Sequence, residues 1–360
     1  MSAASSPALP SPHAVADRVL GGDLSALDRA TLERWLAGEG DVWELMAAAD
    51  RLRRARFGNE VHLCSIVNAK RGGCPEDCGF CAQSRRYNTG VEAERFLDAD
   101  EMVAASARAQ EHGASALGLV TATRGMEDGS KALRHMIDGA RAVRDAGHTE
   151  VHASLGLVSR EGLRELQAAG VTEINHNLES GRAFFDTIVT THTYDQRIQT
   201  IRDAQSLGIR TCVGGIFGMG EGPVDRADLA MQLRALDVDE VPLNFLVGID
   251  GTPLAGREAL PPLEMLRVVA CFRLALPRQN IFLAAGRDHL GQLLPLMFAA
   301  GASGMMIGDF LTTPNRGVAD DLELLAQLGL EGRSCGAPRP ELQAAIPSAP
   351  ARGRHLPIVV

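Results

Sequence analysis

Aromatic side chains are scarce in this chain: two Trp, two Tyr and eleven Phe among 360 residues. Since 45% of the residues are nevertheless hydrophobic, a large core can form, but it has to be aliphatic. A basic excess is also missing. Lys and Arg number 36 against 45 Asp and Glu, a formal net charge of -9, which leaves no electrostatic footprint for nucleic acid. No apolar run reaches the length of a membrane-spanning helix. Met1–Ala14 is rich in Ala, Ser and Pro, with no basic stretch leading into an apolar one. It reads as a disordered lead and not as an export signal, so a cytoplasmic protein is expected. From Gly336 onward, Pro338, Pro340, Pro347, Pro350 and Pro357 break any long helix, and this tail reads as disordered too.

A disulfide framework is excluded as well. The seven cysteines are odd in number and three of them fall within eight residues, a pattern that points to metal binding in a reducing compartment.

What is present is a repeated strand–helix rhythm. Residues from about Ala14 to Arg56 read as helical, with apolar spacing in Leu24–Trp35 and Val42–Phe57. Short apolar runs then follow at Val61–Val67, Ala116–Thr121, Glu150–Leu155, Thr172–Asn177, Ile209–Ile216, Val241–Val247, Ile281–Ala285 and Gly304–Ile307. Amphipathic segments separate them: Asp100–His112, Ser130–Ala146, Arg160–Ala169, Thr193–Leu207, Asp225–Leu236, Pro262–Leu276 and Leu290–Ala300. Gly113, Gly147, Gly170, Gly208 and Gly301 stand where left-handed helix caps are needed. Eight βα units predict an α/β fold, a (β/α)8 TIM-type barrel with an N-terminal helical extension. A doubly wound open sheet is the alternative. The expected boundaries are 1–56 for the lead and helices, 57–335 for the barrel, and 336–360 for the tail.

Directly after the first strand comes Cys74-Pro-Glu-Asp-Cys78-Gly-Phe-Cys81. The end of a barrel strand is the catalytic face. Three thiolates at C-x3-C-x2-C spacing can hold three irons of a [4Fe–4S] cluster and leave the fourth open to a ligand such as S-adenosylmethionine (SAM). Gly72, Gly73 and Gly79 would let the loop bend around it. Zinc, with Cys64 as a fourth ligand, and plain buried thiols are the competing readings. Phe80 can cover the cluster, stack on adenine, or simply pack.

Together these motifs resemble the biotin synthases of the radical SAM superfamily. The matching segments are CPEDCGFCAQS (Cys74–Ser84), NHNLES (Asn175–Ser180), TTHTYDQR (Thr190–Arg197), GGIFGMGE (Gly214–Glu221), VPLNFLV (Val241–Val247), GTPL (Gly251–Leu254) and LTTPN (Leu311–Asn315). They run in order over most of the chain, from about Phe57 to Leu330. The resemblance implies a sulfurtransferase that cleaves SAM reductively, removes hydrogen from dethiobiotin and inserts sulfur to form biotin. It implies that Phe80, Asn175, Asn177 and Glu179 bind SAM, and that Asn175, Asn177 and Asn244 bind dethiobiotin. A flavodoxin or ferredoxin as reductant, and a homodimer, are implied as well.

The resemblance further implies an auxiliary [2Fe–2S] cluster on three Cys and one Arg. Cys212 and Arg287 are aligned with one Cys and the Arg. Gly118 and His152 stand where the other two Cys are expected. His152 is either a substitute ligand or an ordinary interior histidine, so the auxiliary cluster is a variant, differently held, or absent. If it is absent, a radical SAM reaction on another small molecule becomes the alternative. A scaffold without chemistry is a further one. Cys64, Cys271 and Cys335 read as structural.

Overall fold

The computed structural model describes residues 8–308, 311–312 and 316–333. The tail at 336–360 and Cys335 lie outside the described residues. Three helices come first: α1 (Pro12–Leu20), α2 (Arg29–Leu36) and α3 (Val42–Phe57). The first turn of α1 already includes Pro12–Ala14, because proline at the first helical position forfeits only an N–H with no partner. α3 packs along α10 (Pro262–Ala275), and α2 packs on α9 (Pro223–Leu236) and α10. Arg267 of α10 locks the α2–α3 turn by donating to the carbonyls of Trp35, Glu39 and Gly40.

The eight expected runs form eight parallel strands: β1 (Glu60–Lys70), β2 (Ala116–Thr121), β3 (Glu150–Ser154), β4 (Val171–Asn175), β5 (Arg210–Cys212, resuming at Gly215–Phe217), β6 (Glu240–Phe245), β7 (Asn280–Leu283) and β8 (Gly304–Met306). Each pairs with the next, and β8 returns to β1 with His62 opposite Gly304. The sheet is therefore a closed barrel, which removes the doubly wound alternative. Glu331–Arg333 adds alongside the first residues of β1.

Between the strands lie α4 (Ala99–Glu111), α5 (Lys131–Ala146), α6 (Arg160–Ala168), α7 (Arg182–Ile188), α8 (Tyr194–Ser206), α9 and α10, then a 3-10 turn (Arg287–Leu293), α11 (Leu296–Ala299) and α12 (Val318–Gln327). Sequence sets their ends. Asp98 with Glu101, and Thr193 with Gln196, form reciprocal caps that satisfy the orphan N–H groups of α4 and α8. The five expected cap glycines all adopt positive φ. The core is aliphatic as composition requires, with Leu, Val, Ile and Ala filling the strand–helix layer. No helix among the described residues is long and apolar enough to cross a membrane.

Candidate active site

Cys74, Cys78 and Cys81 line one cavity of about 400 Å³ at the C-terminal mouth of the barrel. The loop is held independently of its thiols: Cys74 N–H donates to Gln83 O at 3.0 Å, Arg85 N–H to Cys74 O at 2.9 Å, and Gly72 N–H to Gln83 Oε1 at 2.9 Å. Gly72 is required, with φ 64°; a Cβ there would sit 2.2 Å from the Glu92 carbonyl oxygen. Gly79 is not required: its φ is not positive, and a Cβ would meet only ordinary contacts.

Among the described residues, the one trio of His, Cys, Asp or Glu ligand atoms all within 4.8 Å of each other is Glu173, Cys212 and Glu240. The three loop thiols share one cavity, which Cys64 does not line. Burial pushes all three thiols up, Cys81 to about 11. Multivalent iron reverses that preference by stabilising the thiolates.

A hydrogen-bonded line that sequence reasoning left without roles runs beside the loop. Arg197 Nε donates to His192 Nε2 at 2.9 Å. His192 therefore carries its proton on Nδ1, where Glu76 accepts it. Burial and the Arg197 charge keep His192 below its usual pKa, consistent with a neutral ring. Arg197 also reaches Asn177 O at 2.6 Å and Glu179 Oε1 at 3.4 Å. Asp77 clasps the start of the same motif, accepting from the N–H groups of Thr190 at 2.9 Å and Thr191 at 3.2 Å. Against the upward push of desolvation, these bonds hold Asp77 at about 2. The signal in the sequence was the TTHTYDQR segment, whose Thr190, Thr191, His192 and Arg197 join this line while Asp195 pairs with Arg182 at the surface.

The expected asparagines converge on the cavity. Asn175 ends β4 with its Oδ1 buried and lacking a hydrogen-bond donor, while its amide also hydrogen-bonds with the Cys212 thiol. Asn177 Oδ1 accepts from Gly214 N–H at 3.0 Å. Asn244 bridges the strand ends, donating to Gly215 O at 3.2 Å and accepting from Ala285 N–H at 3.1 Å. Glu179 lines the cavity at φ 68°, a strained conformation for a side-chain-bearing residue, and burial raises its pKa. Phe80 is on the wall, as is His176, a buried histidine not picked out from the sequence.

Comparison with known proteins agrees with this geometry. The Radical SAM superfamily profile matches residues 71–233, and the Biotin and Thiamin Synthesis associated domain matches 242–331. The biotin synthase of Trichlorobacter lovleyi is 42% identical over 88% of this chain and 95% of its own. That of Geobacter sulfurreducens is 41% identical over 90% and 98%. The chain belongs to the biotin synthase family. In fold it is also similar to methylornithine synthase, with a TM-score of 0.76 at 19% identity, covering 89% of this chain and 97% of that one.

The barrel interior departs from what biotin synthase resemblance implied for the auxiliary cluster. Arg287 does not turn toward Cys212. It is fully buried against Asp321 of α12 at 2.5 Å and touches Met305 Sδ, outside the barrel wall. The physical reason is the turn at Gly286, φ 77°, which swings the chain outward after β7. The inward residues are Phe282 and Ala284, which pack with Met306 against Cys212. Gly118 offers no ligand, and a Cβ there would press on Ile66 Cγ2 at 3.1 Å. His152 is completely buried and engaged by acids, with Nδ1 3.1 Å from Glu173 Oε1. Around Cys212, then, the residues do not fit a [2Fe–2S] cluster held by three Cys and this Arg.

Asn175→Ala is expected to raise KM for a ureido substrate roughly tenfold, the worth of one buried hydrogen bond, with little change in Tm. Steady-state kinetics beside a thermal melt check this; an unchanged KM removes Asn175 from the substrate site.

Proposed function

We propose that this barrel binds SAM and dethiobiotin side by side and closes the sulfur-containing ring of biotin: two SAM-derived fragments each carry off one hydrogen, and one sulfur atom at the sulfane level, brought to the barrel by a separate sulfane-sulfur donor, bridges the two carbons. The observation that carries the reading is the convergence of a three-thiol loop and the strand-end asparagines on one cavity in a chain of this family. When bound, a [4Fe–4S] cluster on Cys74, Cys78 and Cys81 supplies the electron that cleaves SAM, whose deoxyadenosyl fragment removes hydrogen from an unactivated carbon.

The protein's own groups bind, orient and shield. Asn175 presents an unsatisfied buried acceptor for a ureido N–H, and amides can both donate to and accept from a cyclic urea. Asn244, pinned at both ends of its amide, stands rigidly on the same wall. Glu179, fixed by Arg197 and by its own backbone bonds to β5, offers a carboxylate to ribose hydroxyls. Ile66, Val120, Ile216 and Phe245 supply apolar walls that keep water from the reacting carbons. A flavodoxin or ferredoxin would deliver the electron, and a homodimer is the expected assembly.

The misfit around Cys212 favours one second reading: the same hydrogen abstraction on another small molecule, without sulfur insertion. Dethiobiotin deuterated at the two carbons that sulfur joins separates the two. Deuterium in the 5′-deoxyadenosine released by reconstituted enzyme, SAM and reductant supports dethiobiotin as substrate. Unlabelled 5′-deoxyadenosine alone moves the assignment to the second reading.

A further inference from the structure

One layer beneath the cavity, the barrel interior holds a polar cluster where the strands otherwise read as apolar. Glu173 on β4, Cys212 on β5 and Glu240 on β6 bring their ligand atoms within 4.8 Å of one another. His152 on β3 adds its Nδ1 at 3.1 Å from Glu173 Oε1, and His62 on β1 adds its Nδ1 at 3.2 Å from Glu240 Oε1. Arg210 lies 3.5 Å from Glu173 Oε2, Glu150 lies 3.7 Å from His152 Nε2, and Asn280 donates to Glu240 Oε1 at 3.3 Å. Arg210 Nη2 also lies 3.3 Å from His152 Nε2, and Asn175 and Cys64 are neighbours of the Cys212 thiol.

These ion pairs leave the oxygens short of donors. Glu173 is fully buried, and neither of its carboxylate oxygens accepts a hydrogen bond; Glu240 Oε2 is in the same state. Two buried carboxylates with three empty acceptor atoms around one thiol are costly without a cation. Buried ionic groups are paired or coordinate metals.

We propose that Glu173, Cys212 and Glu240, completed by His152, bind one divalent transition-metal ion of the iron–zinc class at the floor of the substrate cavity. The donor set selects the class. A thiolate and an imidazole disfavour magnesium and calcium, and carboxylates with a thiolate suit iron(II), zinc and cobalt(II). The ion would ionise Cys212, whose thiol is otherwise held up by burial and by the two acids. The site occupies the region where the family resemblance implied a sulfur-bridged cluster, but its three ligand atoms are spaced for one ion. A ligand-free polar plug, in which His152, His62, Arg210 and Asn280 balance the acids, is the competing arrangement.

The test uses the full chain carrying Cys74→Ala, Cys78→Ala and Cys81→Ala, so that the loop cannot take up the probe. Titration with Co²⁺ should give one saturating equivalent and a thiolate-to-cobalt charge-transfer band. The band should vanish in a further Cys212→Ser variant, and Glu173→Gln should weaken binding at least tenfold. Zn²⁺ should raise Tm in the parent but not in the Cys212→Ser chain, and comparing their metal-free melts shows whether each variant is folded. No charge-transfer band in the parent, or a band unaffected by Cys212→Ser, overturns the site in favour of the polar plug. In the reconstituted wild-type chain, acid-labile sulfide beyond that of one cubane overturns the single ion in favour of a cluster held by different residues.

Discussion

Cys74→Ala, Cys78→Ala and Cys81→Ala are each expected to bring 5′-deoxyadenosine formation down to the no-enzyme background while the barrel stays folded. In the proposed cluster each thiol would be the sole protein ligand for one iron, and no other cysteine among the described residues lines the cavity to replace it. The loop itself does not depend on the thiols. Backbone bonds to Gln83 and Arg85, the Gly72 turn and the Asp77 clasp on Thr190 and Thr191 define its shape. Loss of activity with an unchanged Tm is therefore the expected pair of results, measured by anaerobic reconstitution, product chromatography and a thermal melt of the unreconstituted chains. Full SAM cleavage by any one of the three variants would refute the cluster assignment.

Arg287→Ala is expected to produce the largest loss of stability among the residues considered for the site. Its guanidinium and the Asp321 carboxylate are both fully buried at 2.5 Å, so truncation strands a charge in the protein interior. Breaking such a pair from one side costs about 3–5 kcal/mol, a fall in Tm of roughly 4–7 °C for a chain of this size. Replacing both members, Arg287→Met with Asp321→Leu, removes the stranded charge and should recover most of the loss. A cluster ligand would behave otherwise: Arg287→Ala would alter iron content and absorption at an unchanged Tm. Thermal melts and iron analysis on the single and double variants distinguish the two roles.

The fold was legible because its signals are local. Short apolar runs, helical spacing and cap glycines such as Gly113 and Gly147 each report on a few adjacent residues, and closure follows from their repetition. That the three cysteines of the loop meet in one cavity was legible for the same reason, since they fall within eight residues and need no tertiary information to be brought together.

Arg287 was misread because motif alignment does not say which way a chain turns. Alternation along β7 carries Phe282 and Ala284 inward, and Gly286 then reverses the path, so that the following Arg meets α12. The acids beneath the cavity were missed because each is a lone charge on its own strand. A usable signal was nonetheless there: His152 precedes Ser154 by two residues, and Glu173 precedes Asn175 by two, placing them on the inward face one layer down. Sequence spacing could not show that Glu240, four residues before Asn244, joins the same layer; barrel closure brings it beside Cys212.

The measurement that bears most directly on the account is a single-turnover anaerobic assay of the wild-type reconstituted chain with SAM, a strong reductant, dethiobiotin and a sulfane-sulfur donor, read by mass spectrometry for biotin. The account predicts biotin above the no-enzyme control, accompanied by 5′-deoxyadenosine. Abundant 5′-deoxyadenosine with no biotin, from enzyme whose iron and sulfide content confirms a loaded cubane, would contradict it.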